Sequence, residues 1–317
     1  TPKPSSAASD VYKRQVFATG SCMRALSFRL IFLCGSLLLA VVFIAAWRSH
    51  PPHQLAPFAQ AAVGSDAAKA NSTPQYNSRF VSSDLDDFVH SSSVTALPGG
   101  DLMAVWFAGS REGAADVQVR SARFDAQSGE WGAEQVLATR ESTRDGTGRY
   151  IRKLGNPVIA LGPDQRLWMF YVSVSVGGWA TSAINLMVSD DLGRSWSAPR
   201  QLITSPFFNI STLVRAAPVF HADGAIGLPV YHEFMGKFAE YLYLSADGAV
   251  IDKFRISRGK HSLQPTIVPL DERRAVAMLR YAGDTHHKVL ASRTEDAGQT
   301  WSCLLYTSPS PRDQRGS

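Results

Sequence analysis

The chain has 317 residues, a formal net charge of +5 at pH 7 and a pI of about 9.2. The basic excess lies near the ends, since residues 51–302 sum to −1, so the charge gives no reason to expect a nucleic-acid partner. No cysteine lies between residues 35 and 302, which excludes a disulfide framework and cysteine-based zinc sites from that region.

Both ends of the chain resemble translated sequencing adapter rather than protein. With suitable codons, residues 10–15 (DVYKRQ) back-translate to the reverse complement of the codons for residues 303–308 (CLLYTS). We therefore expect residues 1–22 to be adapter and untranslated upstream sequence, the true start to be Met23, and residues 303–317 to be adapter-derived.

Residues 23–48 contain the first predicted element, an apolar segment. Residues 30–47 carry no charged side chain, and Arg24 and Arg29 precede them. Eighteen such residues are about the minimum for crossing a bilayer, and basic residues before the segment stay in the cytoplasm. The segment is predicted to be a signal anchor or a signal peptide, and in both cases the remainder of the chain is exported. The membrane is therefore an expected partner.

The rest of the chain divides by composition. Residues 49–79 are rich in Pro, Ala, Ser, Gln and Asn without periodicity, which predicts a flexible linker. Residues 80–302 contain short runs of alternating apolar residues between turns, for example at 102–107, 167–174 and 241–244. This pattern predicts an all-β domain.

Two kinds of turn recur together in this domain at intervals of roughly 50 to 65 residues, as in a repeat architecture. The first is a tight turn with Asp or Gly at residues 98–101, 162–165, 222–224 and 271–273. The second follows one or two strands later, at Asp125, Asp191, Asp247 and Asp296. About four repeat units therefore fit between residues 80 and 302.

The second turn carries a resemblance to a known family. Residues 189–196 (SDDLGRSW) match the Asp box, S-x-D-x-G-x-[ST]-W, at every specified position, and residues 294–301 (TEDAGQTW) differ only in the first. The chain therefore resembles the sialidase (neuraminidase) family with BNR repeats. The resemblance implies a six-bladed β-propeller, truncated here to about four blades. It also implies that the Asp boxes staple the blades and that the active site lies at the axis, on the opposite face.

The resemblance also implies a set of site residues. Sialidases hold the sugar carboxylate with three arginines, use a Tyr paired with a Glu as nucleophile, and use an Asp as the acid. Carried onto this sequence, Asp116 takes the place of the acid, on a Gly-rich loop where Arg111 is a further candidate for substrate contact. Arg280, sixteen residues after Gln264, takes the place of a carboxylate-binding arginine.

Two positions depart from the family pattern. His90 stands where the family has its first arginine, and a protonated histidine lacks the bidentate fork of a guanidinium. Gln264 stands where the family has the Glu that activates the Tyr, and an amide cannot act as a base. Glu233 or Glu240 is a candidate to compensate, although an ordinary structural or surface role is an alternative for each of these residues.

The implied function is an exported, membrane-tethered glycoside hydrolase that acts on an acidic sugar, sialic acid or a related one, at the propeller axis. His90 and Gln264 favour two alternatives: a non-catalytic propeller that binds glycan or protein, and a hydrolase or lyase of another polysaccharide. The family's third arginine and Tyr nucleophile belong to blades beyond Trp301, so the chain as printed is expected to be inactive. No cofactor, metal or nucleic-acid partner is predicted, because no motif for a phosphate, a zinc ion or a serine nucleophile occurs.

Overall fold

The computed structural model describes residues 28–45, 54–59, 76–82, 88–205, 209, 211–285 and 288–309. The chain divides into two units, Thr1–His53 and Gln54–Ser317. In the first unit, helix α1 (Phe28–Ala45) has a mean hydropathy of 2.5 and is long and apolar enough to cross a membrane, a criterion that signal sequences also meet. The predicted apolar segment is therefore a helix, and the choice between anchor and signal peptide stays a prediction.

In the second unit, the strands form four antiparallel sheets that follow one another along the chain as the blades of a β-propeller. The first blade contains β1 (Phe88–Ala96), β2 (Leu102–Gly109), β3 (Gln118–Asp125), β4 (Glu130–Trp131) and β5 (Gln135–Ala138). The second contains β6 (Lys153–Leu161), β7 (Leu167–Val174), β8 (Ser182–Ser189) and β9 (Arg200–Gln201). The third contains β10 (Leu213–Val214), β11 (Val219–Phe220), β12 (Ile226–His232), β13 (Phe238–Leu244) and β14 (Val250–Arg255). The fourth contains β15 (Ser262–Pro269), β16 (Ala275–Tyr281), β17 (Lys288–Thr294) and β18 (Leu305–Pro309). The prediction of an all-β propeller with four blades in this chain is confirmed.

A short helix, α2 (Arg140–Thr147), links the first two blades. Its capping box pairs Thr139 and Ser142, whose side chains each accept a hydrogen bond from the other's backbone N–H, at 3.1 and 2.9 Å. Buried Thr143 then bonds the hydroxyl of Tyr171 in β7 at 2.9 Å. The helix is therefore tied to the second blade by a buried polar contact.

Burial along each strand follows the position of its blade in the stack. Every residue of β7 is buried, because its apolar side chains pack against neighbouring blades on both faces. In β16, by contrast, Ala277 and Leu279 are buried while Met278 and Arg280 are exposed. Strand β1 is likewise exposed along much of its length. The described strands therefore leave one face of the first blade and one face of the fourth blade uncovered.

The Asp boxes close turns at one end of the blades. The two carboxylate oxygens of Asp191 accept bonds from the backbone N–H and the hydroxyl of Ser195, at 2.8 and 2.6 Å, and Ser189 donates a third bond. Asp296 makes the same pair of bonds with Thr300. These contacts satisfy turn N–H groups, which is the structural role that the sequence predicts for the boxes.

The loops that join β2 to β3, β7 to β8, β12 to β13 and β16 to β17 lie at the other end. The first residue of β2, Leu102, pairs with Phe124 at the end of β3, next to the Asp-box turn. The last residue of β2, Gly109, pairs with Phe88 at the start of β1. Residues 110–117, which follow Gly109, therefore lie at the end of the blade opposite the Asp-box turns. The equivalent loops in the other blades are residues 175–181, 233–237 and 282–285. We call these four segments the upper loops.

The structure differs from the predicted linker over part of its length. Leu55 and Phe58 are only 6% and 1% exposed and belong to a core cluster of the third and fourth blades. The backbone N–H of Phe58 donates to Glu272 at 2.7 Å, and Phe58 pairs with His221 in an isolated bridge. Residues 54–59 therefore pack on the propeller. Leu55 and Phe58 are buried only through tertiary contacts with distant residues. Such contacts leave no periodic pattern in the local sequence, so the sequence did not predict them.

Strand β18 lies within the residues predicted to be adapter-derived. It pairs with β17, for example Ala291 with Leu305. A pairing of backbones is independent of the origin of the sequence, so the predicted boundary at residue 303 remains a prediction.

Candidate functional site

The first strand of three blades is interrupted by a bulge that places a non-glycine residue in the left-handed region. The register shifts within β1, β6 and β15, and the left-handed residues there are Ser91 (φ 58°), Asn156 (φ 46°) and Gln264 (φ 51°). In the third blade, residues 215–218 separate β10 from β11. Such strained positions concentrate at binding and catalytic sites, so the bulges mark where function is to be sought.

A chain of polar side chains connects these bulges from blade to blade. Ser91 Oγ donates to Asn156 Oδ1 at 3.2 Å, and Asn156 Nδ2 donates to the hydroxyl of Tyr231 at 3.3 Å. The side chain of Gln264 also hydrogen-bonds Tyr231. Four successive blades thus meet through their bulges and one tyrosine, which places these side chains around the propeller axis.

Tyr231 lies at the centre of this group and is only 2% exposed. Burial raises its pKa to about 12, and the negative charge of Glu233 acts in the same direction. Hydrogen bonds from Gln264 and Asn156, together with the positive charge of Arg215, oppose the increase. Tyr231 is therefore a protonated phenol at neutral pH. We call Asn156, Arg215, Tyr231, Glu233 and Gln264 the Tyr231 cluster.

Glu233 begins the upper loop of the third blade and is half-buried. Burial raises the pKa of its carboxyl group, and the positive charges of Lys237 and Arg280 oppose that increase without cancelling it. Arg280 is exposed, on the uncovered face of the fourth blade, and its backbone pairs with Leu263, next to Gln264. The structure thus brings Gln264, Glu233 and Arg280, all chosen from the sequence, into one electrostatic neighbourhood.

Arg215, Asn156 and Tyr231 were missed by sequence reasoning. Arg215 stands in the gap between β10 and β11 and acts electrostatically on Tyr231. Within the residues that the structure describes, neither Arg215 nor Arg280 forms an ion pair with a carboxylate. The available signal was a proline at the interruption of the first strand in the second, third and fourth repeats, at residues 157, 218 and 265. Proline disfavours continuous strand pairing.

Asp116 lies in a different part of the upper end. Its carboxylate accepts bonds from the backbone N–H and the hydroxyl of Ser110, both at 3.0 Å. The bond from the Ser110 backbone is the main reason that the pKa of Asp116 lies below its usual value, with the charge of Arg111 a smaller contribution. A cavity of about 300 Å³ beside it is lined by Gln118, Thr139 and Glu141, among others. Asp116 is therefore ionised at neutral pH and caps its own loop.

His90 and Glu240 have separate surroundings. The exposed ring of His90 packs edge-on against Phe107, with centroids 5.6 Å apart. Glu240 is 7% exposed and forms ion pairs with Lys253 at 3.5 Å and Arg255 at 3.3 Å, both on β14. Glu240 therefore joins two outer strands and, unlike Glu233, is not placed to compensate for Gln264.

Within the described part of the chain, no group of three or more His, Cys, Asp or Glu side chains is arranged to hold a metal ion. The donor set around Tyr231 consists of amides, one carboxylate and cations. Cations repel a metal ion and attract an anion, so this set suits an acidic ligand.

The BNR repeat-like domain family matches residues 100–314. The chain belongs to this family. The match covers every strand of the four blades except β1, and it accounts for the repeated Asp-box turns. No curated protein matches the chain.

Solved structures with the same fold include sialidases and another glycoside hydrolase. A Hadza microbial sialidase is 15% identical, with a TM-score of 0.55 over 68% of this chain and 46% of that chain. The intramolecular trans-sialidase from Ruminococcus gnavus, solved with oseltamivir carboxylate, is 13% identical, with a TM-score of 0.52 over 70% and 71% of the two chains. A family 117 glycoside hydrolase from Zobellia galactanivorans is 11% identical, with a TM-score of 0.53 over 74% of each chain. At these low identities, the similarity establishes a sialidase-type propeller fold. The chain spans less than half of the length of the Hadza enzyme.

Proposed function

We propose that the chain belongs to an exported glycoside hydrolase that acts on an acidic sugar, sialic acid or a related one, at the upper end of the propeller axis. The observation that carries the proposal is a pair of guanidinium groups, Arg215 near Tyr231 and Arg280 near Glu233, neither of which forms an ion pair in the described residues. A sugar carboxylate would supply the acceptor that these groups lack. The fold shared with two sialidases supports the same reading.

The proposed roles follow from the surroundings of each side chain. Arg280 binds the sugar carboxylate, and Arg111 and His90, both exposed at the upper end, are candidates for further substrate contact. Asp116 is the acid that the family resemblance implies. Because the Ser110 backbone N–H stabilises its carboxylate, Asp116 would have to lose that bond before it could carry a proton at neutral pH.

The full-length gene product tests this function through the release of sialic acid from a fluorogenic sialoside. Replacing Arg280 with alanine removes a charge-assisted bond of about 1.5–3 kcal/mol, so kcat/KM should fall roughly 10- to 100-fold. Arg280→Lys should recover part of the loss, because the charge remains and the fork does not. Arg293→Ala, at an exposed arginine on neighbouring β17, is the matched control. A wild-type protein that neither hydrolyses nor binds sialosides would overturn the proposal.

A second candidate function is a non-catalytic propeller that binds an acidic glycan. Two observations favour it. The side-chain amide of Gln264 cannot act as a base for Tyr231, and Asp116 is ionised at neutral pH. Calorimetric titration with N-acetylneuraminic acid separates the two functions. Binding without turnover by the full-length product supports the second candidate, whereas turnover excludes it. The fold shared with a family 117 glycoside hydrolase supports adding other polysaccharides to the same substrate panel.

Export rests on helix α1, whose length and hydropathy fit a membrane anchor or a signal sequence. We propose that the propeller lies outside the cytoplasm. In cells that express the full-length product, protease added outside the cytoplasmic membrane should degrade the propeller. Full protection under conditions that leave a cytoplasmic marker intact would contradict export.

A further inference from the structure

We propose that Glu233 is the residue that delivers the proton to the leaving-group oxygen, in place of Asp116. The inference rests on the proposed glycosidase function and adds to it the identity of the catalytic acid. It assigns the chemistry to the upper loop of the third blade, next to the axis, instead of the loop of the first blade.

The backbone at Glu233 is held rigidly by two blades. Its N–H donates to Ser211 Oγ at 3.0 Å. Ser211 is fully buried, has a φ of 48°, and its own N–H donates to Ala180 in the upper loop of the second blade at 3.0 Å. A strained, buried serine therefore fixes where the side chain of Glu233 begins, which is the kind of support that a catalytic group needs.

The carboxylate of Glu233 has no such support of its own. Within the described residues, no hydrogen bond or ion pair reaches its oxygens. A half-buried carboxylate without a donor is unfavourable unless a ligand completes its surroundings. Asp116 differs in this respect, because both of its oxygens accept bonds from Ser110.

Charged and titratable groups face Glu233 from three elements. Lys237 lies on the same loop and donates to the carbonyl of Ala282 at 3.3 Å, Arg280 lies on β16, and Tyr231 lies on β12. The two cations favour the ionised form, and burial favours the neutral form more strongly. Glu233 thus holds its proton to a higher pH than an ordinary glutamic acid, as a general acid must.

Water is the only reactant that the proposed hydrolysis needs besides the glycoside. The carboxyl group of Glu233 transfers its proton to the glycosidic oxygen, which keeps the electron pair of the breaking bond to the anomeric carbon. Water then adds to the oxocarbenium ion and loses a proton to the carboxylate of Glu233. The products are the free sugar and the alcohol, and Glu233 is protonated again.

The test compares two sialosides that differ only in the leaving group, with the full-length product as enzyme. Methylumbelliferone leaves without protonation, whereas the methanol of a methyl glycoside needs an acid. Glu233→Gln should lower kcat roughly 100- to 10,000-fold on the methyl glycoside and less than about 10-fold on the methylumbelliferyl glycoside. It should also remove the alkaline limb of the pH profile. Glu295→Gln, an exposed glutamate in the Asp box at the opposite end, should change neither rate.

Each outcome bears on the proposal. Selective loss in Glu233→Gln supports it, as does partial recovery in Glu233→Asp, which keeps a carboxyl group. Equal loss on both substrates, or selective loss in Asp116→Asn alone, overturns it and leaves the glycosidase function standing. A wild-type protein inactive on both glycosides removes the proposed function and this inference with it. If Glu233→Gln does not fold, Glu233→Asp and Asp116→Asn decide by the same comparison.

Discussion

Carboxyl groups of this protein differ in the direction of their pKa shifts because their burial and hydrogen-bond donors differ. Asp191 and Asp116 each accept a backbone N–H and a hydroxyl from their own loops, and these bonds lower both pKa values, that of Asp191 to about 2. Glu233 is half-buried, and burial raises its pKa; no donor reaches its carboxylate within the described residues. Residue type alone therefore does not reveal the direction of a pKa shift, which burial and local donors set.

Asp191 gives a prediction about stability and pH. Its folded pKa of about 2 lies below the usual 3.8, so its ionised form stabilises the fold above pH 4, and this contribution is lost as the pH falls from about 4 towards 2. Asp191→Asn should lower the unfolding temperature at pH 7, and the difference from wild type should shrink as the pH approaches 2. Thermal unfolding followed by circular dichroism measures both. Asp190→Asn, at the exposed neighbouring residue, is the control, and an equal effect there would contradict the argument.

At the scale of elements, β12 leads from the core to the site. Gly227 lies near the start of β12. A Cβ atom at this position would overlap the phenol of Tyr241. The hydroxyl of Tyr241 donates to His221 Nε2 at 2.6 Å, and His221 Nδ1 donates to the carbonyl of Ala56 at 2.7 Å. The nitrogen assignment follows because a carbonyl only accepts. One glycine therefore permits the packing that ties residues 54–59 to β13, in the blade that carries Glu233.

Gly227→Ala should thus destabilise the propeller by about 3 kcal/mol, the upper end of the usual range, because overlap with a fully buried ring forces the ring or the strand to move. Urea unfolding monitored by tryptophan fluorescence gives the value. Gly132→Ala is the matched control, since its Cβ would meet only the carbonyl oxygen of Arg123 at 3.4 Å. A loss below about 1 kcal/mol at Gly227 would show that β13 moves to accommodate the methyl group.

At the scale of the whole molecule, the four blades are not equally covered. Val94 on β1 is 59% exposed and Val268 on β15 is 52% exposed, whereas the side chains of β7 are buried. Met278 adds to the uncovered face of the fourth blade. Apolar faces of this kind favour association, and closure is what protects a propeller from it.

The chain as printed should therefore self-associate or remain partly unfolded. Sedimentation velocity should show species larger than a monomer whose share grows with protein concentration. The double variant Val268→Lys with Met278→Lys should reduce that share, and Ile203→Lys, at a 59% exposed residue of the second blade, should not. A monodisperse wild-type chain that unfolds cooperatively would contradict this prediction.

Local patterns were sufficient to predict the blades. Residues 167–174 and 241–244 alternate or stay apolar as buried strands do, and the boxes at Asp191 and Asp296 contain within eight residues every group that closes the turn. Residues 54–59 were assigned to a linker because their burial comes from the distant His221 and Glu272. Glu240 was likewise left as a candidate until its partners on β14 were known.

The all-β class, the four repeats and the structural role of the Asp boxes follow from the sequence alone, since strand periodicity and turn hydrogen bonds are short-range properties. Which polar side chains share the axis depends instead on how the blades pack. Asn156, Arg215, Tyr231 and Gln264 come from three blades and are far apart in the chain, and they meet because successive blades bring their bulges together. The same stacking half-buries Glu233, which raises its pKa, and leaves Asp116 with donors from its own loop, which lower its pKa.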